Sequence, residues 1–323
     1  MVKAFKVEGR KMLKLIRQRL LLAIPLLLVL SFLVFGLIHL APFNAVDAII
    51  KPTMSTAEVH VLQHRYGIDK PFMTQYVLWL MNFVTGHFGH SIINQQDIGQ
   101  ALAERIPNTV MLVLPSYLTA TIIAVVLGLI GGRSPQKLVG RFIDTLTAIG
   151  LATPSFWIAL LLLYFLGYVL NLFPIFGMGS TAHPLGVIWH MVLPYLTLVI
   201  AFFPETTRYV RSKTMTEYRQ DYVMVQRAFG ASERSILFRH VLPNVLLPVV
   251  TQLGQSLPLL ITGAMITETV FSWPGVGAYM MDASVKLDYP VILAVMLLSA
   301  FLVVVGNLLA DISYALVDPR VRR

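Results

Sequence analysis

Thr145–Pro204 reads TLTAIGLATPSFWIALLLLYFLGYVLNLFPIFGMGSTAHPLGVIWHMVLPYLTLVIAFFP, sixty residues without one Asp, Glu, Lys or Arg. A helix crosses the roughly 30 Å hydrocarbon core of a bilayer with about 20 apolar residues. The stretch is therefore too long for one crossing and long enough for two. Asn171, Pro174, Gly177, Gly179, His183 and Pro184 punctuate its middle as a turn, and divide it into spans near 147–170 and 187–206. Leu20–Val46, Ile106–Gly132, His240–Thr267 and Pro290–Ala310 are also free of charge. Six spans result: 20–41, 107–132, 147–170, 187–206, 241–267 and 289–310. The fold class is an all-α polytopic membrane protein.

Composition agrees. Of 323 residues, 56% are hydrophobic and 13% charged, and mean hydropathy is +0.73. Soluble domains carry about 25% charged residues and disorder requires low hydrophobicity, so both are excluded. With no cysteine there is no disulfide framework, Cys-ligated zinc or thiol nucleophile.

The net charge of +9 is an orientation signal rather than a nucleic-acid footprint. Met1–Arg19 holds seven Lys/Arg, 133–146 three, 205–240 seven and the segment from 311 three, twenty on one side of the six-span arrangement. The opposite side holds five, while Asp and Glu divide eight and eight. Lys and Arg concentrate in cytoplasmic loops, so this reading puts both termini in the cytoplasm. The apolar run after Arg19 is longer than a signal-peptide core, and no small-x-small cleavage site follows, so a retained first span is expected.

The outer segment 42–106 is too long to be bare loop. Ser55-Thr-Ala-Glu58 reads as a capping box, and Pro71 suits the start of a second helix. Phe72–Val84, with Tyr76 and Trp79, is too short to span. It reads either as a helix lying at the membrane interface or as one packed on the bundle, and the two are compatible.

No Asp, Glu, Lys or Arg falls well inside a predicted span. That argues against an ion-coupled transporter, which needs intramembrane ionisable groups. There is no Gly-Lys dipeptide and hence no Walker A loop, no TVGYG-type filter and no H-E-x-x-H. In the fifth span Thr251, Gln255 and Thr262 share a helical face, with Gln252 and Ser256 beside it. They read either as the wall of a polar path or as interhelical hydrogen-bonding groups. The spans thus resemble a passage without a motor.

The loop 205–240 is the place for a motor to act. Helix is expected over much of Thr214–Phe229. Gly230 fits the left-handed position after a helix, Ser232 the N-cap of the next, and Glu233 its first turn. Tyr222, Val225 and Phe229 form an apolar set that either docks into a partner's groove or folds back on the bundle. Arg227 and Arg234 either meet acidic groups of a partner or serve the charge bias.

Asp221-Tyr-Val-Met-Val-Gln-Arg-Ala-Phe-Gly-Ala-Ser-Glu-Arg-Ser-Ile-Leu-Phe-Arg-His-Val-Leu-Pro-Asn244 resembles the E-A-A-x3-G-x9-I-x-L-P loop of binding-protein-dependent ABC importer permeases. Gly230, Leu242 and Pro243 match, Met224-Val225-Gln226 replaces the E-A-A triplet, and His240 stands at the Ile position. Glu268–Gly277, Asp288-Tyr-Pro290, Ala310–Arg320, His39-Leu-Ala-Pro42 and Tyr66–Pro71 resemble the dipeptide/oligopeptide permease family, and the long outer segment resembles its first (B-type) subunit. The resemblance implies a heterodimer with a second six-helix permease, two cytoplasmic ABC ATPases that carry ATP and Mg²⁺, and an extracytoplasmic solute-binding protein. This chain itself would hold no cofactor and bind no nucleic acid. Tyr222, Val225, Ala228, Phe229, Gly230, Ala231, Ser232, Glu233, Leu242 and Pro243 would form the ATPase-coupling element. Peptides, nickel complexes and some sugars are solutes of such relatives. A stand-alone secondary transporter or channel and an intramembrane enzyme are the competing readings.

Overall fold

The computed structural model describes residues 21–37, 39–40, 54–65, 67, 69–256 and 265–317. Among these there is no strand, only one isolated bridge, between His90 and Asp97. The helices are α1 (Leu21–Leu37), α2 (Thr56–Arg65), α3 (Phe72–Val84), α4 (Ile98–Arg133), α5 (Leu138–Ala152), α6 (Ser155–Val169), α7 (Pro184–Tyr218), α8 (Asp221–Ala228), α9 (Glu233–Ile236), α10 (Leu242–Gln255), α11 (Met265–Val270), α12 (Val276–Lys286) and α13 (Tyr289–Val317).

α4 and α7 form the spine. With 36 and 35 residues they reach about 54 and 52 Å, well beyond the apolar slab, so each projects from it. α4 begins nine residues before the expected span because Asp97 caps it: its Oδ1 accepts from the Gln100 N–H at 2.8 Å. Gly128 and Gly132, one turn apart, bring the two backbones together. A Cβ at the first would strike Val210, and at the second Thr214. Four prolines interrupt the pair, Pro107 and Pro115 in α4, Pro194 and Pro204 in α7. Buried hydroxyls turn back on their own helices: Ser116 donates to Leu112 O, Thr197 to Leu193 O and Thr207 to Phe203 O. These side chains satisfy themselves without a partner helix.

α4, α7 and Tyr289–Leu309 of α13 are each long and apolar enough to cross a membrane alone. The span expected at 147–170 is different. α5 and α6 meet at 98°. Pro154 denies helical geometry to the residue before it, and Thr153 is extended (φ −94°, ψ 119°). α1 and α10 cover parts of the first and fifth expected spans; residues 1–20, 41–53, 257–264 and 318–323 lie outside the described residues.

Within 54–84 the expected capping box and the helix after Pro71 are both present. The Ser55 N–H donates to Glu58 Oε2 at 2.7 Å, and the Glu58 N–H to Ser55 Oγ at 3.3 Å, a reciprocal capping box. α3 packs on α1. Tyr76 hydrogen-bonds Ser31 at 2.8 Å, and Phe35 meets Phe72, Tyr76 and Trp79. Its other face leaves Met73, Val77, Met81 and Val84 exposed, which suits a helix bedded in lipid as well.

Candidate functional site

Two places concentrate unusual chemistry: the bend between α8 and α9, and a cavity among α4, α7 and α10.

The bend is sharper than its sequence suggested. The helix expected through 214–229 breaks at Arg219–Gln220, where α7 ends and α8 turns away. Gly230 then takes φ +79°, as a residue after a helix terminus must to reverse the chain, and the Ala231 N–H reaches Gln226 O at 3.0 Å. Ser232 caps α9, its Oγ accepting from the Ser235 N–H at 3.3 Å. Arg227 lies over the Tyr218 ring and donates to Glu233 across the turn, Nε to Oε1 at 2.7 Å. The guanidinium thus meets a carboxylate of its own chain. It holds the Glu233 carboxyl below the usual carboxylate range.

One side of the bend is anchored. Val223 and Ile236 are wholly buried with Leu129, Val210, Val241, Val245 and Val249. Leu242 and Ala231 pack at the edge of this cluster, and Pro243 is exposed beside it. Before Pro243 the helix widens to a π turn over Leu237–Val241, which relieves the clash a proline ring makes with the carbonyl four residues back. A polar latch adds to the anchor. The Tyr222 hydroxyl donates to Glu217 Oε2 at 2.7 Å, Asn244 Nδ2 to the same oxygen at 3.2 Å, and Lys213 reaches the other oxygen at 3.1 Å. Burial, with the Glu217 carboxylate second, pushes the Tyr222 phenol up to about 12.

The other side is bare. Phe229 is 84% exposed, and Met224, Val225 and Ala228 are exposed with it. The apolar set read from the sequence divides between the two faces, Val225 and Phe229 on the open one. Tyr222 points inward to the latch, and Met224 takes its place on the open face. A Phe left in water at the tip of a braced turn forgoes roughly 1.5–3 kcal/mol of burial that a partner's groove would recover.

The cavity, of about 270 Å³, is lined by Tyr117, Ala201, Phe202, Glu205, Thr206, Gln252 and Ser256. Gln252 and Ser256 of the predicted polar stripe thus face open space. Thr262 and the side chains of Thr251 and Gln255 lie outside the described residues. Glu205 is the residue sequence reasoning missed. In sequence it is the first residue of the loop 205–240, yet α7 continues thirteen residues past it. Its neighbour Tyr117 sits midway along α4, about 28 Å from Ile98 and 24 Å from Arg133, so this carboxylate lies at the mid-level of the bundle. Only the true length of α7 reveals it.

At the opposite end of α4 the Glu268–Gly277 stretch forms a locked turn. Thr109 Oγ1 donates to Glu268 Oε1 at 2.9 Å and accepts from the Val276 N–H at 2.8 Å. Glu268 Oε2 accepts from the Ala278 N–H at 3.0 Å, placing the buried carboxylate at the α12 N-terminus. Trp273 Nε1 donates to Asn108 O at 2.9 Å. Among the described residues no group of three His, Asp or Glu could hold a metal ion.

Residues 124–323 match the family described as binding-protein-dependent transport system inner membrane component, and residues 12–113 match its N-terminal companion. The chain is 38% identical over 308 residues to the oligopeptide transport system permease protein AppB of Bacillus subtilis, covering 94% of this chain and 98% of that protein. It is 33% identical to the dipeptide transport system permease protein DppB of Lactococcus lactis subsp. cremoris (96% and 100% covered). To the glutathione transport system permease protein GsiC of Escherichia coli it is 31% identical (96% and 99% covered).

Proposed function

This chain belongs to the binding-protein-dependent transport system inner membrane component family, and on that premise we propose how it works as a permease subunit of a peptide-importing ABC transporter of the cell membrane. It crosses the membrane six times with both termini in the cytoplasm, a topology supported by the twenty-to-five Lys/Arg division. The bent α5–α6 pair counts as the third crossing. A second six-helix permease completes the path, an extracytoplasmic binding protein delivers the peptide, and two ABC ATPases hydrolyse ATP with Mg²⁺. The chain holds neither cofactor itself.

The observation that carries the coupling role is the Phe229 ring, exposed at the tip of a turn whose opposite face is anchored by Val223, Ile236 and the Glu217–Tyr222–Asn244 latch. A mobile tip would absorb a push. An anchored one transmits it to α7 and α10, the helices that line the cavity. ATP-driven closure of the ATPases on Phe229–Glu233 would then bias the bundle between its two access states. No glutamate contact of an E-A-A triplet is involved, since Met224-Val225-Gln226 stands there. Glu205 removes one argument against a stand-alone transporter, but family membership, not the lack of carboxylates, now decides between the readings.

The test is co-purification of the chain with the ATPases and binding protein of its transport system, followed by a screen for solutes that stimulate ATP hydrolysis. Peptide-stimulated hydrolysis in the assembled complex is expected. Uphill uptake by the isolated chain would contradict the reading.

A further inference from the structure

The cavity among α4, α7 and α10 sits at the mid-level of the bundle and holds a single carboxylate, Glu205. Among the described residues, no group donates a hydrogen bond to Glu205 and no cation pairs with it, whereas Asp144, Glu217, Glu233, Glu268 and Asp288 all have partners. Its side chain is exposed, open to whatever fills the cavity, and carboxylates inside membrane bundles are rare and mark the route of what passes. Its surroundings specify the compensating group. Gln252 supplies an amide and Ser256 and Thr206 supply hydroxyls. The Tyr117 and Phe202 rings stand edge to face, centroids 5.5 Å apart. One carboxylate among neutral oxygens and aromatic rings suits a compact organic cation, through charge-assisted hydrogen bonds and cation–π attraction. A divalent metal would want several anionic ligands, and no cluster of three exists among the described residues.

We propose that Glu205 is a specificity-determining residue of the translocation path: its carboxylate, with Gln252 and Ser256, receives the α-ammonium group of a peptide between binding protein and cytoplasm. This rests on the peptide-import reading above and adds to it a recognition step inside the membrane. Glu205 lies on the same face of α7 as Ala201 and Phe202, which line the cavity with it.

The test uses the assembled importer with its binding protein in proteoliposomes. The probes are alanine peptides of two to five residues, with free amino termini or N-acetylated. The binding protein is the same throughout, so its own preference cancels when complexes are compared. Glu205→Gln is expected to lower uptake of the free-amine peptides about tenfold relative to the acetylated ones, and Glu205→Asp to keep the original preference. Equal losses for both peptide classes would assign Glu205 to the switching machinery and overturn the subsite. An unchanged ratio would overturn it as well. A wild-type complex that imports none of these peptides would instead contradict the peptide-import reading itself.

Discussion

Arg227 and Glu233 pair across the Gly230 turn, six residues apart in sequence, with Nε 2.7 Å from Oε1. The pair ties the end of α8 to the start of α9 and so fixes the angle at which Phe229 is presented. Both partners are nearly half exposed, which limits what the bond contributes to stability. Arg227→Ala should therefore lower stability by less than about 1 kcal/mol, an effect that shrinks further in high salt. Thermal unfolding of the purified chain at two ionic strengths measures this. The Arg227 contact holds the Glu233 carboxyl below its ordinary value of 4.5. The stabilisation is thus present above pH 4.5 and lost as pH falls through the lowered value.

Gly230 has open space around it, so a substitution there meets no clash. The cost comes from the backbone alone, at φ +79°. Gly230→Val should lose roughly 1–2 kcal/mol or unwind the turn, while Gly230→Asn, which tolerates this conformation, should lose less. Comparing unfolding midpoints of the two variants separates conformational strain from lost space.

Tyr222→Phe removes one of three donors to Glu217 while leaving Lys213 and Asn244 in place. A loss of about 1.5 kcal/mol is expected, the magnitude of a hydrogen bond to a charged group. With the Tyr222 phenol at about 12, above its ordinary 10, the folded chain favours the protonated form. This contribution is complete below pH 10 and fades as pH rises toward 12. Ultraviolet titration should show one late-ionising tyrosine fewer in the variant.

Thr109→Val keeps the shape of the side chain but removes the donor to Glu268 and the acceptor for the Val276 N–H. Two buried polar groups are stranded, so a loss of about 1–3 kcal/mol is expected, which Thr109→Ser should largely recover. Protease sensitivity of the 271–276 turn provides the readout.

Much of this architecture could be read from periodicity and punctuation. Charge-free runs marked α4, α7 and α13, and Ser55–Glu58, Gly230 and Ser232 announced their own local geometry. Helix ends were the weak point. A charged residue looks like a span boundary in sequence, so Glu205 was placed in a loop, although α7 runs on to Tyr218. The inward turn of Tyr222 was also hidden, because its latch partners Glu217 and Asn244 lie five residues before it and 22 residues after it. The break at Pro154 was legible in principle, since a proline inside a predicted span signals a bend, but nothing local in the sequence sets its 98° angle.

The central claim is that the work of transport enters through the exposed ring at the anchored bend. The most direct measurement is peptide uptake together with ATP hydrolysis in the reconstituted complex carrying Phe229→Asp. A charge at an 84% exposed position should leave folding and membrane insertion intact. The account predicts that uptake falls at least about tenfold, and that hydrolysis no longer responds to the loaded binding protein. Wild-type uptake with normally stimulated hydrolysis would contradict it.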